Sequence, residues 1–172
     1  HVFLKNRLKV DILNDFYRSS IADEMDRKVN ENDFNKTYWD RVYTKYLGVI
    51  SELIERSQDE IQILDIGCGA GGFVKKAHNA GFPVSAIDIY EGVVEKIGRF
   101  IGEKQVKCVK SLDAYQTKHS FDVVTLWGVL EHLPNGEHVF ELARKVFKKR
   151  GMILFLVPNL QSRAFRFLGA NT

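Results

Sequence analysis

The stretch that most constrains this chain is residues 61–72, Ile-Gln-Ile-Leu-Asp-Ile-Gly-Cys-Gly-Ala-Gly-Gly. An apolar run, Ile61 to Ile66, is interrupted only by Gln62 and Asp65 and passes straight into a loop carrying Gly67, Gly69, Gly71 and Gly72. A helix-like segment, Phe73 to Ala80, follows. A buried parallel strand feeding a glycine turn and a helix N-terminus is the arrangement with which α/β folds hold nucleotides at the ends of their strands. Asp65 stands two residues before the first glycine and places a carboxylate at the mouth of such a site.

The rest of the chain supports an open α/β sheet. Ile61–Ile66, Val84–Asp88, Val106–Val109, Phe121–Trp127 and Met152–Val157 read as strands, the last introduced by Gly151 and stopped by Pro158. Phe73–Asn79, Gly92–Ile101 and Glu137–Phe147 read as the helices between them. Alternation at this spacing predicts right-handed βαβ units and a Rossmann-like, doubly wound parallel sheet. Ahead of it, Tyr38, Val42, Tyr43, Tyr46, Leu47, Ile50, Leu53 and Ile54 recur at three and four, which predicts an amphipathic helix over Thr37–Arg56, in two pieces around Gly48. Residues 1–36 read as an N-terminal extension, with a short helix around Val10–Tyr17 and a loop or mobile segment over Ala22–Asn35. Residues 37–172 read as one domain, long enough to bury a core.

Composition narrows the partners. A formal net charge of +3 does not argue for nucleic acid, and none is expected as a partner. The basic group Lys145, Lys148, Lys149 and Arg150 reads as a solvated helix end, where cations complement the helix dipole. No apolar run reaches the roughly 18 residues of a membrane span, and no signal-peptide pattern is present. The chain begins His1-Val2-Phe3 without methionine, as a trimmed product does. The two cysteines, Cys68 and Cys108, form no Cys-x-x-Cys motif. They read as buried thiols of a cytoplasmic protein, with no metal ligands.

The glycines alone are ambiguous, because Gly67-x-Gly69-x-x-Gly72 also satisfies the dinucleotide fingerprint. In that fingerprint the loop cradles a pyrophosphate, and a carboxylate such as Asp65 would oppose the phosphate charges. The same carboxylate suits a nucleoside carrying positive charge. Asp65-Ile66-Gly67-Cys68-Gly69-Ala70-Gly71 resembles motif I of the class I S-adenosylmethionine-dependent methyltransferases, acid-x-Gly-x-Gly-x-Gly, at every fixed position. The resemblance implies S-adenosylmethionine as cofactor and S-adenosylhomocysteine as product, with Asp65, Gly67, Cys68, Gly69 and Gly71 in the binding loop.

Further residues extend it. Asp88, about 20 residues beyond the glycine turn, stands where an acid accepts bonds from ribose hydroxyls. Ser85-Ala86-Ile87-Asp88-Ile89 resembles motif II, which implies the ribose diol on Asp88 and adenine packed on Ile89. Alternatively, Asp88 caps the helix that follows. Leu112 and Asp113, after the third strand, are candidates for the adenine edge by the same resemblance, or part of a surface turn.

Phe121-Asp122-Val123-Val124 through Trp127-Gly128-Val129-Leu130-Glu131-His132-Leu133 resembles small-molecule methyltransferases related to the ubiquinone-biosynthesis O-methyltransferases. It implies that Trp127 and Gly128 line the cofactor's methionine portion and that Glu131 and His132 open the next helix facing the transfer centre. His132 is then either a general base for a hydroxyl acceptor or, with Glu131, a brace for the loop. The segment lacks the Asn/Asp-Pro-Pro-Tyr/Phe tetrapeptide of amino-methylating enzymes and the Pro-Cys of cytosine C5 enzymes.

Tyr38 and Trp39 resemble the aromatic pair of a helical cap over the cofactor, or they are packing residues. Val157-Pro158-Asn159 with Ser162, Ala164, Phe165 and Gly169 resembles the strand-five end and its following helix. Strands six and seven of the family's sheet are missing, so a C-terminal segment or a second copy of the chain is expected to cover the strand-five edge. The expected function is methyl transfer, most directly O-methylation, to a small-molecule, lipid or sugar acceptor. The alternatives are a non-catalytic S-adenosylmethionine-binding module and a nicotinamide-dependent oxidoreductase.

Overall fold

Side-chain parity along the central strands organises the molecule. The computed structural model describes residues 12, 15–16, 33–159 and 161–162. Every residue of β1 (Ile63–Ile66) is buried, as are the first six of β4 (Phe121–Trp127). Strands covered on both faces read as such continuous runs. Ile63 and Val123 point into one core with Leu47, Ile50, Phe73, Val74, Ala77, Val93 and Ile97. These come from α1 (Asp33–Ile54), α2 (Gly72–Asn79) and α3 (Glu91–Ile101). Leu64, Ile66, Val124 and Leu126 point the other way. There they meet Val139, Leu142, Ala143 and Val146 of α4 (Glu137–Val146), one stripe at i, i+3, i+4 and i+7.

With β2 (Val84–Asp88), β3 (Val106–Cys108) and β5 (Phe147–Leu156), the strands form one sheet in the order β3-β2-β1-β4-β5. All neighbouring pairs are parallel. The chain runs outward from β1 to β3 and then crosses back to β4 on the other side of β1. The carboxyl ends of β1 and β4 therefore flank a topological switch point, where open α/β sheets bind ligands. This is the predicted doubly wound parallel sheet.

Several boundaries differ from the sequence reading. The amphipathic helix predicted over Thr37–Arg56 begins at Asp33 and runs unbroken through Gly48 to Ile54. Gly48 lies on the solvent face with open space around it, so it lowers propensity there without breaking the ladder. The basic group is not a helix end: of its four residues only Lys145 is helical, and Lys148, Lys149 and Arg150 belong to β5. The chain rejoins the sheet at once because Phe147 pairs with Phe121, and the irregular step from Phe121 to Val123 spans Phe147 to Met152 on β5. Cys108 is exposed, because β3 is an edge strand, whereas Cys68 is buried as expected. Ile12, Asp15 and Phe16 are helical. The remainder of the Val10–Tyr17 helix, most of Ala22–Asn35, and Ala164, Phe165 and Gly169 lie outside the described residues. No described helix is long and apolar enough to cross a membrane.

The amino-terminal end of β4 is locked by one carboxylate. Asp122, 3% exposed, accepts the Gln62 N–H at 2.9 Å and the Lys148 ammonium at 2.7 Å, and it pairs with Arg56. Burial alone would raise its pKa, but Lys148, the Gln62 N–H and Arg56 together hold it below its ordinary value. A lowered pKa contributes stability that is fully present above the unfolded value and is lost as pH falls through the folded one. Asp122→Asn should therefore lower unfolding free energy by about 2–3 kcal/mol at pH 7, as loss of charge-assisted bonds does. Urea titration checks this, and the gap to the parent should close at a pH low enough to protonate Asp122.

Candidate functional site

The glycine loop sits where β1, β2 and β4 end. The Gly67 N–H donates to the Ile87 carbonyl at 2.8 Å and the Gly71 N–H to the Cys68 carbonyl at 2.8 Å, which curls the chain back toward α2. Gly71 adopts φ 76°, and a Cβ there would meet Ile97 Cδ1 at 1.9 Å. Gly67 adopts φ 69°, and its Cβ would meet Val129 Cγ2 at 2.6 Å. Both conformation and space demand glycine. The loop is thus clasped between α3 and the segment following β4, which joins the two strongest sequence signals in one place.

Asp65 lies beneath this loop. It is 1% exposed, so it is not at the mouth, as its sequence position suggested, but within the sheet. Parallel pairing sets it beside Thr125, whose hydroxyl donates to Asp65 Oδ1 at 2.6 Å. Burial pushes its carboxyl up from 3.8 to about 7, the Thr125 bond offsets part of this, and the charge of Asp88 adds to it. A buried acid that titrates near neutrality is poised to ionise when a cation arrives.

Asp88, at the tip of β2, holds two backbone segments, one of them the entry to the following helix. Its Oδ1 accepts the Tyr90 N–H at 3.0 Å and organises the entry to α3. Its Oδ2 accepts the Gly69 N–H at 3.0 Å and tethers the glycine loop. Burial raises its pKa, against the N–H groups of Gly69, Tyr90 and Ile89 and a bond from Cys68. Asp65, Gly67, Cys68, Gly69, Gly71, Asp88 and Ile89 are therefore brought together.

Trp127 closes the loop's flank through an aromatic cluster. Its ring centroid lies 4.9 Å from Phe73, 5.2 Å from Tyr43 and 5.6 Å from Tyr46. Trp39 stacks on Tyr43 at 5.4 Å, and Tyr38 meets Trp39 edge-on with about half its surface exposed. The α1 aromatics thus extend outward from this cluster. Gly128 adopts φ 68°, and its N–H donates to the Leu156 carbonyl at 3.0 Å.

Glu131 and His132 do not open the next helix. They are exposed on a 3-10 turn, Leu130–His132, and α4 begins only at Glu137. Pro134 disfavours helix at the residue before it, and Asn135 Oδ1 then accepts the Glu137 N–H at 3.1 Å to start α4 afresh. Leu112 packs into the α4-side core, and Asp113 is exposed, 3.2 Å from His138 Nδ1. Asp113, His138 and Glu141 bring ligand atoms within 4.8 Å of one another at the surface, a grouping that commonly holds no ion.

Sequence reading missed Thr125, Tyr43, Phe73 and Val129. Thr125 had a signal, as the lone hydroxyl in the apolar run Val123–Leu126. The others were visible only as core residues, because their contacts cross between distant segments.

The raised Asp65 pKa has a sign that can be tested. Between 3.8 and about 7 the native state holds a proton that the unfolded chain has lost, so stability falls as pH rises through this window. The loss totals up to about 4 kcal/mol, at roughly 1.4 kcal/mol per unit. Asp65→Asn should remove most of it. Urea midpoints at pH 5 and pH 8 should diverge more in the parent than in the variant.

Comparisons with known proteins agree with this geometry. The ubiquinone biosynthesis O-methyltransferase of Hydrogenovibrio crunogenus (strain DSM 25203 / XCL-2) is 28% identical over 148 residues, covering 79% of this chain and 61% of that protein. That of Azoarcus sp. (strain BH72) is 32% identical over 111 residues, covering 62% of this chain and 48% of that protein. The chain thus spans about half to three-fifths of the length of these relatives. Among solved structures, the magnesium protoporphyrin IX methyltransferase of Synechocystis PCC 6803 with bound SAH superposes with TM-score 0.68 at 19% identity, over 93% of this chain and 76% of that one. A plantazolicin methyltransferase in complex with a substrate analogue and SAH gives 0.64 at 17% identity, over 91% and 66%. These likenesses establish a Rossmann-like class I methyltransferase fold. A family model described as "Methyltransferase domain" matches residues 38–169, and the chain belongs to that methyltransferase family.

Proposed function

We propose that this chain binds S-adenosylmethionine over the carboxyl ends of β1, β2 and β4 and is the donor half of an enzyme that methylates a small molecule, most directly at oxygen. The observation that carries this reading is Asp65, a buried carboxyl beneath a glycine loop. A pyrophosphate above it would oppose its ionisation, whereas an ammonium and a sulfonium would draw its proton off and pair with it. The donor set fits: Asp65 for the cationic end, the clasped glycines for close backbone approach, and Asp88 as a two-oxygen acceptor for a vicinal diol. Ile89, with Leu112 and Asp113 after β3, is assigned the adenine side, and Trp127 and Gly128 the methionine side.

When bound, the cofactor supplies a methyl group already activated on sulfur. The protein's part is then alignment and exclusion of water. The aromatic cluster of Tyr43, Phe73 and Trp127 excludes water from one flank. His132, on the turn after β4, is assigned the task of taking a hydroxyl proton at an imidazole nitrogen, with Glu131 beside it. The acceptor-binding elements are placed against β5, the sheet's edge strand, supplied by further chain. Phe155 on it and Val157 just past its end are 46% and 41% exposed, and the relatives are longer than this chain. Two cysteines kept as thiols, Cys68 buried and Cys108 exposed, suit a cytoplasmic location.

Calorimetry with S-adenosylhomocysteine and with NAD tests the reading. The first should bind and the second should not; the reverse would make the site a dinucleotide pocket. Asp65→Ala should weaken S-adenosylhomocysteine by about ten- to a hundredfold, in line with a charge-assisted bond of roughly 1.5–3 kcal/mol. In the protein with its acceptor-binding elements, His132→Ala should lower kcat at least tenfold with little change in cofactor affinity. An unchanged kcat would leave His132 and Glu131 as braces of the turn.

A further inference from the structure

Among the described residues, Nε1 of Trp127 is the one buried side-chain nitrogen or oxygen that has no hydrogen-bond partner. Buried polar groups are nearly always paired, so an orphan donor at a strand end calls for an acceptor that arrives with a ligand. Its position says which kind. Thr125 and Trp127 are two residues apart on β4 and share one face of the sheet, and Asp65 is in register with Thr125. Asp65, Thr125 and Trp127 thus form a polar column on one face, climbing toward the switch point over roughly 7 Å from Thr125 to Trp127. The indole does not swing freely, being held by Tyr43, Tyr46 and Phe73. An indole N–H can only donate. A ligand that places a cation at Asp65 and an acceptor a few ångströms higher has the form of an α-amino acid zwitterion.

We propose that Trp127 Nε1 donates to the carboxylate at the amino-acid end of the cofactor, so that Asp65 and Trp127 read the ammonium and carboxylate as a pair. This rests on the S-adenosylmethionine reading and adds what it lacked, a determinant for the anionic half of that tail. It also gives the aromatic cluster a role beyond packing: the three rings fix the direction of a single donor.

The test is a cycle between residue and ligand, read by calorimetry on the folded chain. Trp127→Phe keeps an aromatic ring and removes the donor. S-adenosylmethionine should bind this variant about tenfold more weakly than the parent, as loss of a bond to a charged group predicts. Decarboxylated S-adenosylmethionine, which keeps the ammonium and sulfonium, should bind parent and variant within about twofold of one another, because the partner of Nε1 is absent. 5′-Methylthioadenosine, lacking both charges, should do the same. Trp127→3-benzothienylalanine, which keeps the bicyclic shape without an N–H, should repeat the pattern and serves if the Phe variant fails to fold. An equal loss for all three ligands, or no loss for S-adenosylmethionine, would overturn the proposal while leaving the cofactor site standing. That result, joined to a less stable ligand-free variant, would make the indole N–H a partner of the surrounding rings instead. A parent that binds none of the three would remove the cofactor reading itself, and this inference with it.

Discussion

The hydrogen bond from Thr125 to Asp65 is the interaction on which the site depends. It lies inside the sheet, between two central strands, where a carboxylate is costly and an apolar residue would be the stable choice. One hydroxyl donor does not restore what burial takes away, and the carboxyl stays near neutral pKa. A position that breaks the rule of the surrounding strand without full compensation is where function is expected. The polar pair exists because parallel register places position 65 beside position 125, so the fold itself assembles the site from residues sixty apart in sequence.

That register follows from the apolar pattern. Shifting either strand by one residue would turn Ile63 and Val123 away from the α1–α3 core and expose or bury the wrong set. The burial of Leu64, Ile66, Val124 and Leu126 against α4 therefore also holds Asp65 against Thr125. Packing energy and site geometry are the same constraint seen from two faces of one sheet. Gly71 and Gly67 complete it from above, since Ile97 and Val129 leave no room for a side chain.

The strands, their alternation with helices in a parallel sheet and the core of the glycine loop were legible in sequence because they rest on local signals. Strand-length apolar runs, turn glycines and an i, i+3, i+4, i+7 stripe such as Val139–Val146 need no tertiary knowledge. The errors fall where a distant partner decides. Lys148 to Arg150 read as a helix end because nothing nearby announces that Phe147 pairs with Phe121 and Lys148 meets Asp122. Asp65 was recognised as the key acid, yet its depth depends on strands on both sides. Thr125 and the rings around Trp127 went unread because each matters only through a contact from another segment. Glu131 and His132 read as the start of a helix that Pro134 and Asn135 in fact postpone.

The two ends of the sheet show how placement sets the ionisation of a buried acid. Asp122 and Asp65 lie on adjacent strands, both almost fully buried, at 3% and 1% exposure. Asp122 sits at the amino end with Arg56, Lys148 and a backbone N–H around it, and its pKa is lowered. Its charge is spent within the protein. Asp65 sits toward the carboxyl end with a neutral hydroxyl and a second acid, Asp88, for company, and its pKa is raised. Its charge is held in reserve. An acid whose partners are all internal stabilises the fold at neutral pH, whereas one left incomplete at a switch point costs stability there and regains it only with a cationic ligand. The contrast, a lowered pKa at one end and a raised one at the other, points to the same end of the sheet as the glycine pattern does.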